Sequence, residues 1–92
     1  MKFYSTVKLS INHASEEEAI IHLKTFAEAT RAEAGNILFE VLRTKEDVST
    51  FIIWEIFKDK AALETHLASN HLKTFMELGY FIIKTMEECE VV

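Results

Sequence analysis

Two histidines lie five residues apart in the stretch ETHLASNH, residues 64–71. Histidine binds metals and moves protons near neutral pH. On one unbroken helix, residues five apart point about 140° away from each other, whereas ligands on one face are three or four apart. A break at Ser69–Asn70 could bring His66 and His71 together, but zinc would need a third protein ligand. No HExxH motif or cysteine pair supplies one, so we predict no metal here.

Proton transfer is the second chemistry that these histidines could perform. His66 follows Leu63 by one helical turn, so it borders the apolar stripe and can face a pocket between helix and sheet. We predict His66 as a catalytic base and His71, at a helix start, as a substrate-binding residue. The alternatives are a core His66 that satisfies a backbone group and an exposed His71 without a function.

Glu55 is a carboxylate within the otherwise apolar strand TFIIWEIF. Burial would raise its pKa and make it a useful acid or base, so it is the second predicted catalytic residue. The alternative is a hydrogen bond, or a salt bridge to a basic residue at a dimer rim. Aromatic residues that could line a substrate pocket, or simply belong to the core, are Tyr4, Phe39, Trp54 and Phe57.

The composition limits the function classes. Ninety-two residues predict one domain, residues 1–92, and a net charge of −5 disfavours binding to nucleic acid or anionic membranes. One cysteine, Cys89, cannot form an internal disulfide, which favours a cytoplasmic location. No apolar run approaches the ~20 residues of a membrane span.

The pattern of periodicities predicts the elements that must position these residues. KFYSTVKLSI alternates as a strand, and Ser15 with Glu18 forms a capping box for a helix that should stop at Gly35. Residues 36–43 and 50–57 predict two more strands. Asp59 and Asn70 predict the N-caps of two further helices, and residues 84–92 predict an edge strand. The order βαββαβ predicts an α+β, ferredoxin-like fold with an antiparallel four-stranded sheet.

Both faces of the two middle strands are apolar. Ile37, Phe39 and Val41 should point to one side of the sheet and Leu38 and Leu42 to the other; residues 51–57 repeat this pattern. Helices can cover only one face, and an open apolar face would be a large exposed patch. We therefore predict a homodimer packed sheet to sheet.

The segments AEAGNILFEVLRT and FIIWEIFKDKAALETHLASNHLKTF resemble the antibiotic biosynthesis monooxygenase superfamily of dimeric α+β barrels. The pattern comprises an acid–x–Gly, a strand ending in Glu–x–aromatic, a polar turn, and a helix with Ala–Leu and His–Leu–x–Ser–x–His before an aromatic residue. Its residues here are Glu33, Gly35, Glu55, Phe57, Lys58, Asp59, Ala62, Leu63, His66, Leu67, Ser69, His71 and Phe75.

The resemblance implies a cofactor-independent enzyme that oxidises a small phenolic or quinol-like substrate with molecular oxygen. It equally implies an alternative, a processing enzyme or isomerase for a phosphorylated autoinducer-like molecule, for which Arg31, Arg43 or Lys58 would have to bind the phosphate. A non-catalytic dimer that binds a small ligand is a third expectation. The haem-degrading branch requires Asn, Trp and His where this chain has Val7, His66 and Met76, which argues against haem breakdown.

Overall fold

The computed structural model describes residues 1–92 and contains four strands and three helices. In chain order these are β1 (Phe3–Ile11), α1 (Glu16–Arg31), β2 (Asn36–Arg43), β3 (Thr50–Phe57), α2 (Lys60–Leu67), α3 (Asn70–Leu78) and β4 (Phe81–Cys89). None of the three helices combines the length and the hydrophobicity that crossing a bilayer requires.

The strands form one sheet in the order β2-β3-β1-β4, and every neighbouring pair is antiparallel. This arrangement confirms the predicted ferredoxin-like fold, in which the predicted second helical unit consists of α2 and α3. β4 is an edge strand, as predicted, but it begins at Phe81 rather than at Lys84. Phe81 is buried in the core. The prediction missed the first three residues of the strand because these apolar residues closely follow α3.

The core lies between α1, α3 and the inner face of the sheet. Alternation along β1 buries Val7 and Leu9, as the sequence pattern predicted, and α1 adds Leu23, Phe26 and Ala27 from one helical face. The remaining members of the main apolar cluster are Ala19, Phe39, Phe51, Ile53, Phe75 and Phe81. The aromatic rings pack face to face or edge to face, which makes this small core dense.

Side-chain capping fixes where the helices begin. The Ser15 hydroxyl accepts a hydrogen bond from the Glu18 amide, and the Asp59 carboxylate accepts one from the Ala62 amide, so both predicted N-caps are confirmed. The reciprocal bond of the predicted capping box, from the Ser15 amide to the Glu18 carboxylate, is not formed. The N-cap of α3 is Ser69, not Asn70, because the Ser69 hydroxyl accepts the Leu72 amide. Both residue types cap helices well, and the sequence alone could not choose between neighbours.

Gly35 does not end the first helix, contrary to the prediction. α1 ends at Arg31, with Ala32 as its C-cap, four residues before the predicted glycine stop. A Cβ atom built on Gly35 would lie 2.3 Å from the Cβ of Ala62 in α2. Gly35 therefore permits the close approach of α2 to the α1–β2 connection.

The outer face of the sheet is largely apolar along β2 and β3 and is not covered by any helix. Trp54 is 50% exposed there, and Leu42 and Ile82 are also exposed. Leu38, Ile52 and Ile56 are partly exposed on the same face. The register of β2 shifts between Asn36 and Leu38, so Ile37 is an extra residue and is exposed instead of pointing inward with Phe39, contrary to the predicted alternation.

Replacing Gly35 with Ala should destabilise the fold by about 1–3 kcal/mol, because the added methyl group overlaps the Ala62 side chain. Urea unfolding of Gly35→Ala, Ala62→Gly and the double variant measures this effect. The double variant should lose less stability than the sum of the single variants, because removing the Ala62 methyl group relieves the overlap. Additive losses would contradict the contact.

Candidate active site

Glu33 lies in the connection between α1 and β2, and its backbone is fixed on both sides. Its amide donates to the Thr30 carbonyl at 3.0 Å, and its carbonyl accepts from the Asn36 amide at 3.1 Å. These bonds hold the residue between the end of the first helix and the start of a strand. The carboxylate is only 12% exposed.

Two consecutive helices present the histidines to this carboxylate. His66 lies in the last turn of α2, and His71 lies in the first turn of α3. Ser69 makes the junction between them: its hydroxyl donates to the His66 carbonyl at 2.6 Å and accepts from the Leu72 amide at 3.3 Å. The change of direction at Ser69 overcomes the unfavourable spacing of five residues and leaves the two rings with centroids 6.1 Å apart.

One oxygen of Glu33 contacts both histidines. The His66 Nδ1 atom lies 2.8 Å from Glu33 Oε2, and the His71 Nε2 atom makes a short hydrogen bond to the same oxygen. The His66 side chain is buried, whereas the His71 side chain is 27% exposed. The Phe26 ring lies near both imidazoles and stacks on Phe75. The three polar side chains thus form a hydrogen-bonded cluster that extends from the interior to the surface.

The cluster fixes the tautomer of His66. An ionised carboxylate only accepts hydrogen bonds, so the nitrogen facing Glu33 carries the proton and a neutral ring keeps its lone pair on Nε2. The Nε2 atom has no hydrogen-bond partner, yet the structure contains no buried side-chain nitrogen or oxygen without one. Nε2 therefore keeps some contact with solvent, although the His66 side chain is only 5% exposed.

His66 lines an apolar cavity of about 240 Å³ between the sheet and the second and third helices. The cavity walls include Val7, Phe39 and Ile53, and its only titratable groups are His66 and Glu55. Its rim is formed by four exposed apolar side chains, Leu67, Met76, Ile83 and Met86. The cavity therefore offers an apolar space with a base and an acid, and an apolar opening toward the surface.

Glu55 projects into this space from β3 and is 3% exposed. Ser5 is its cross-strand neighbour on β1, and the Ser5 hydroxyl donates to Glu55 Oε2 at 2.6 Å. Burial raises the pKa of Glu55 above its ordinary value, although the Ser5 hydrogen bond and the nearby His66 partly oppose this shift. The predicted pKa rise is confirmed, and so is the alternative expectation of a hydrogen bond, but its partner is a serine and not a basic residue.

The predicted aromatic pocket residues lie in three different places. Phe39 lines the cavity. Phe57 is fully buried beside it, with its ring centroid 5.0 Å from that of His66, and packs with Ala62 and Leu63. Trp54 and Tyr4 lie on the outer face of the sheet, because their strand positions alternate with those of Glu55 and Ser5. His71 contacts Glu33 and lines a shallow surface depression, not the cavity of His66.

Glu33 is the residue at the centre of this site that we did not select as a candidate from the sequence. It stood in the acid–x–Gly part of the sequence pattern, which was the one available signal, but its distance in sequence from the histidines gave no reason to join them. Ser5 was also missed, because a serine in an alternating strand is common. The basic residues considered for a phosphate lie elsewhere: Arg31 and Arg43 line a groove beside α1, and Lys58 a depression near Gly35.

Comparison with known proteins places this chain in a family. The model of the antibiotic biosynthesis monooxygenase family matches residues 3–78. The chain belongs to this family. A curated relative is "Putative monooxygenase YcnE" of Bacillus subtilis, which is 25% identical over 71 residues, covering 77% of this chain and 75% of YcnE.

Solved structures agree with this membership of the antibiotic biosynthesis monooxygenase family. The protein YJCS superposes with a TM-score of 0.87 at 20% identity, covering 100% of both chains, which shows a shared fold. A Bacteroides thetaiotaomicron protein named "Putative antibiotic biosynthesis monooxygenase" is 26% identical, with a TM-score of 0.79 over 99% of this chain and 88% of its own.

The raised pKa of Glu55 predicts that the free energy of unfolding depends on pH. Folded Glu55 keeps its proton to a higher pH than it does unfolded, so its stabilising contribution is complete below the unfolded pKa and is lost as the pH rises through the folded pKa. The stability of the wild type relative to Glu55→Gln should therefore fall as the pH increases over this interval. Urea unfolding at a series of pH values measures the difference.

Glu64 provides the matched control for this experiment, since it is an exposed glutamate on α2, away from the sheet. Glu64→Gln should show no comparable fall. If the relative stability of Glu55→Gln and the wild type were constant with pH, or changed in the opposite direction, the assigned direction of the pKa shift would be wrong.

Proposed function

We propose that this protein is a cofactor-independent monooxygenase that oxidises a small, single-ring phenol or quinol with molecular oxygen. The observation that carries the proposal is an imidazole with an accessible Nε2 atom, fixed by Glu33, on the wall of an apolar cavity. Family membership supports the same class of reaction.

The size of the cavity favours a single ring. An engineered apolar cavity of about 150 Å³ binds benzene, so 240 Å³ accommodates one ring with substituents. It lies below the roughly 300–1,000 Å³ of pockets that hold larger ligands. The walls are mostly apolar, and the absence of a Lys or Arg side chain among them disfavours a phosphorylated substrate.

In the proposed reaction, His66 Nε2 removes a phenolic proton, and Glu33 stabilises the imidazolium that forms. The resulting electron-rich anion reacts with oxygen. For a hydroquinone, one oxygen atom forms a new carbon–oxygen bond and the other leaves as water, which yields a hydroxylated quinone. The substrate supplies all four electrons, so the reaction needs no cofactor. Glu55, whose raised pKa favours its protonated form, returns a proton to the departing oxygen.

Oxygen consumption with a panel of hydroquinones tests this function. His66→Ala should lower kcat by about 10²-fold or more, because a positioned general base contributes at least that factor. Glu33→Gln should lower it less, because the base is retained but loses its orientation. His13→Asn is the control, since His13 is exposed in the β1–α1 turn.

Two results would overturn the proposal. Either the wild type consumes no oxygen across single-ring and polycyclic phenols, or His66→Ala turns over as fast as the wild type. Binding of a phenol without turnover would favour a non-catalytic ligand-binding protein. NMR of the phosphorylated autoinducer under nitrogen tests the isomerase alternative, because an isomerase works without oxygen.

We further propose that two copies of the chain pair through the outer faces of their sheets. The support is the uncovered apolar surface that contains Trp54, Leu42 and Ile82. Trp54→Glu should shift the protein toward a monomer in sedimentation velocity, because it would bury a charge at the centre of that surface. Ile21→Glu is the matched control, as Ile21 is an exposed apolar residue on α1. A monomeric wild type, or an unchanged Trp54→Glu, would contradict the pairing.

A further inference from the structure

We propose that Glu33, His66 and His71 form a binding site for a divalent transition metal of the Zn²⁺ and Co²⁺ class. The three side chains each offer one donor atom, and these atoms all lie within 4.8 Å of one another. They come from three separate elements: the α1–β2 connection, the end of α2 and the start of α3. The third ligand that the sequence analysis did not find is the Glu33 carboxylate.

The donor atoms lie close to the spacing that a metal requires. Donors around a tetrahedral zinc ion, with bonds of about 2.1 Å, are roughly 3.4 Å apart. His66 Nδ1 and His71 Nε2 lie 2.8 and 2.5 Å from Glu33 Oε2, so each nitrogen would move away from this oxygen by roughly 0.6–0.9 Å as a metal replaced the proton between them. The two ring nitrogens, which lie within 4.8 Å of each other, would move closer together, and rotation of the partly exposed His71 side chain contributes to this movement.

The type of donor selects the type of metal. Two imidazole nitrogens and one carboxylate oxygen suit zinc and its first-row neighbours, whereas calcium and magnesium prefer all-oxygen sites. With both histidines neutral, the one carboxylate gives the site a charge of −1, which favours a divalent cation. Three protein ligands also leave a coordination position for water on the accessible side of His71.

Metal binding would also affect the proposed catalytic base. A metal on His66 Nδ1 leaves the ring proton on Nε2, where the base needs a lone pair. Bound metal would therefore inhibit proton abstraction. This consequence rests on the proposed function, whereas the binding of metal does not.

Titration of the chelator-treated, tag-free protein with Co²⁺ tests the site. The wild type should bind one Co²⁺ per chain and develop visible absorption bands typical of a low-coordinate nitrogen and oxygen site. Glu33→Gln and His71→Ala should each weaken binding by more than about tenfold, since each removes a ligand. His13→Asn and His22→Ala should bind as the wild type does, because neither histidine contacts the cluster.

A gain-of-signal variant identifies the ligand directly. His71→Cys, made in a Cys89→Ser background to remove the exposed free thiol, should add a thiolate-to-cobalt charge-transfer band. Circular dichroism checks that every variant is folded. The proposal is overturned if the wild type binds no Co²⁺, or if the cluster variants bind it as tightly as the wild type does and His71→Cys adds no band.

The activity assay separates this inference from the proposed function. Zn²⁺ should inhibit His66-dependent oxygen consumption, and a chelator should restore it. Metal binding in a protein without oxygen-dependent turnover would overturn only the proposed function. Turnover in a protein that binds no metal would overturn only the metal site.

Discussion

The double hydrogen bond of the Glu33 carboxylate determines the arrangement of the site. A single oxygen accepts from one histidine that is buried and from another that is partly exposed. Without this acceptor, no hydrogen bond would connect the two imidazole rings, and the buried Nδ1 atom of His66 would lack a partner. The same contact joins the α1–β2 connection to α2 and α3, so it is both a structural bond and the feature that orients the proposed base.

The two acids of the site, Glu33 and Glu55, have different environments and hence different chemistry. Glu33 faces ring nitrogens of two histidines and contacts both with one oxygen. Glu55 lies in an apolar cavity with one serine donor, and burial raises its pKa. The proposed reaction uses this difference, with Glu33 as the group that orients the imidazole and Glu55 as the proton donor.

The sequence predicted most of the fold because local patterns encoded it: the alternation in β1, the caps Ser15 and Asp59, and the apolar β2 and β3. It also indicated His66 and Glu55 as cavity residues, since one borders a helical stripe and the other interrupts an apolar strand. It could not assemble Glu33 with the histidines, because only the packing of α2 against the α1–β2 connection brings them together. Trp54 and Glu55 are adjacent in sequence but face opposite sides of the sheet, which separates the predicted pocket residues into two surfaces.

The contact between Gly35 and Ala62 sets the distance between α2 and the α1–β2 connection. Gly35 follows Glu33 by two residues, and Ala62 precedes His66 by one helical turn, so the contact sets the height at which α2 rests above the carboxylate. Any side chain at position 35 would lift the helix and stretch the bond between His66 and Glu33. The glycine of the acid–x–Gly pattern therefore sets the spacing within the cluster of Glu33 and the two histidines.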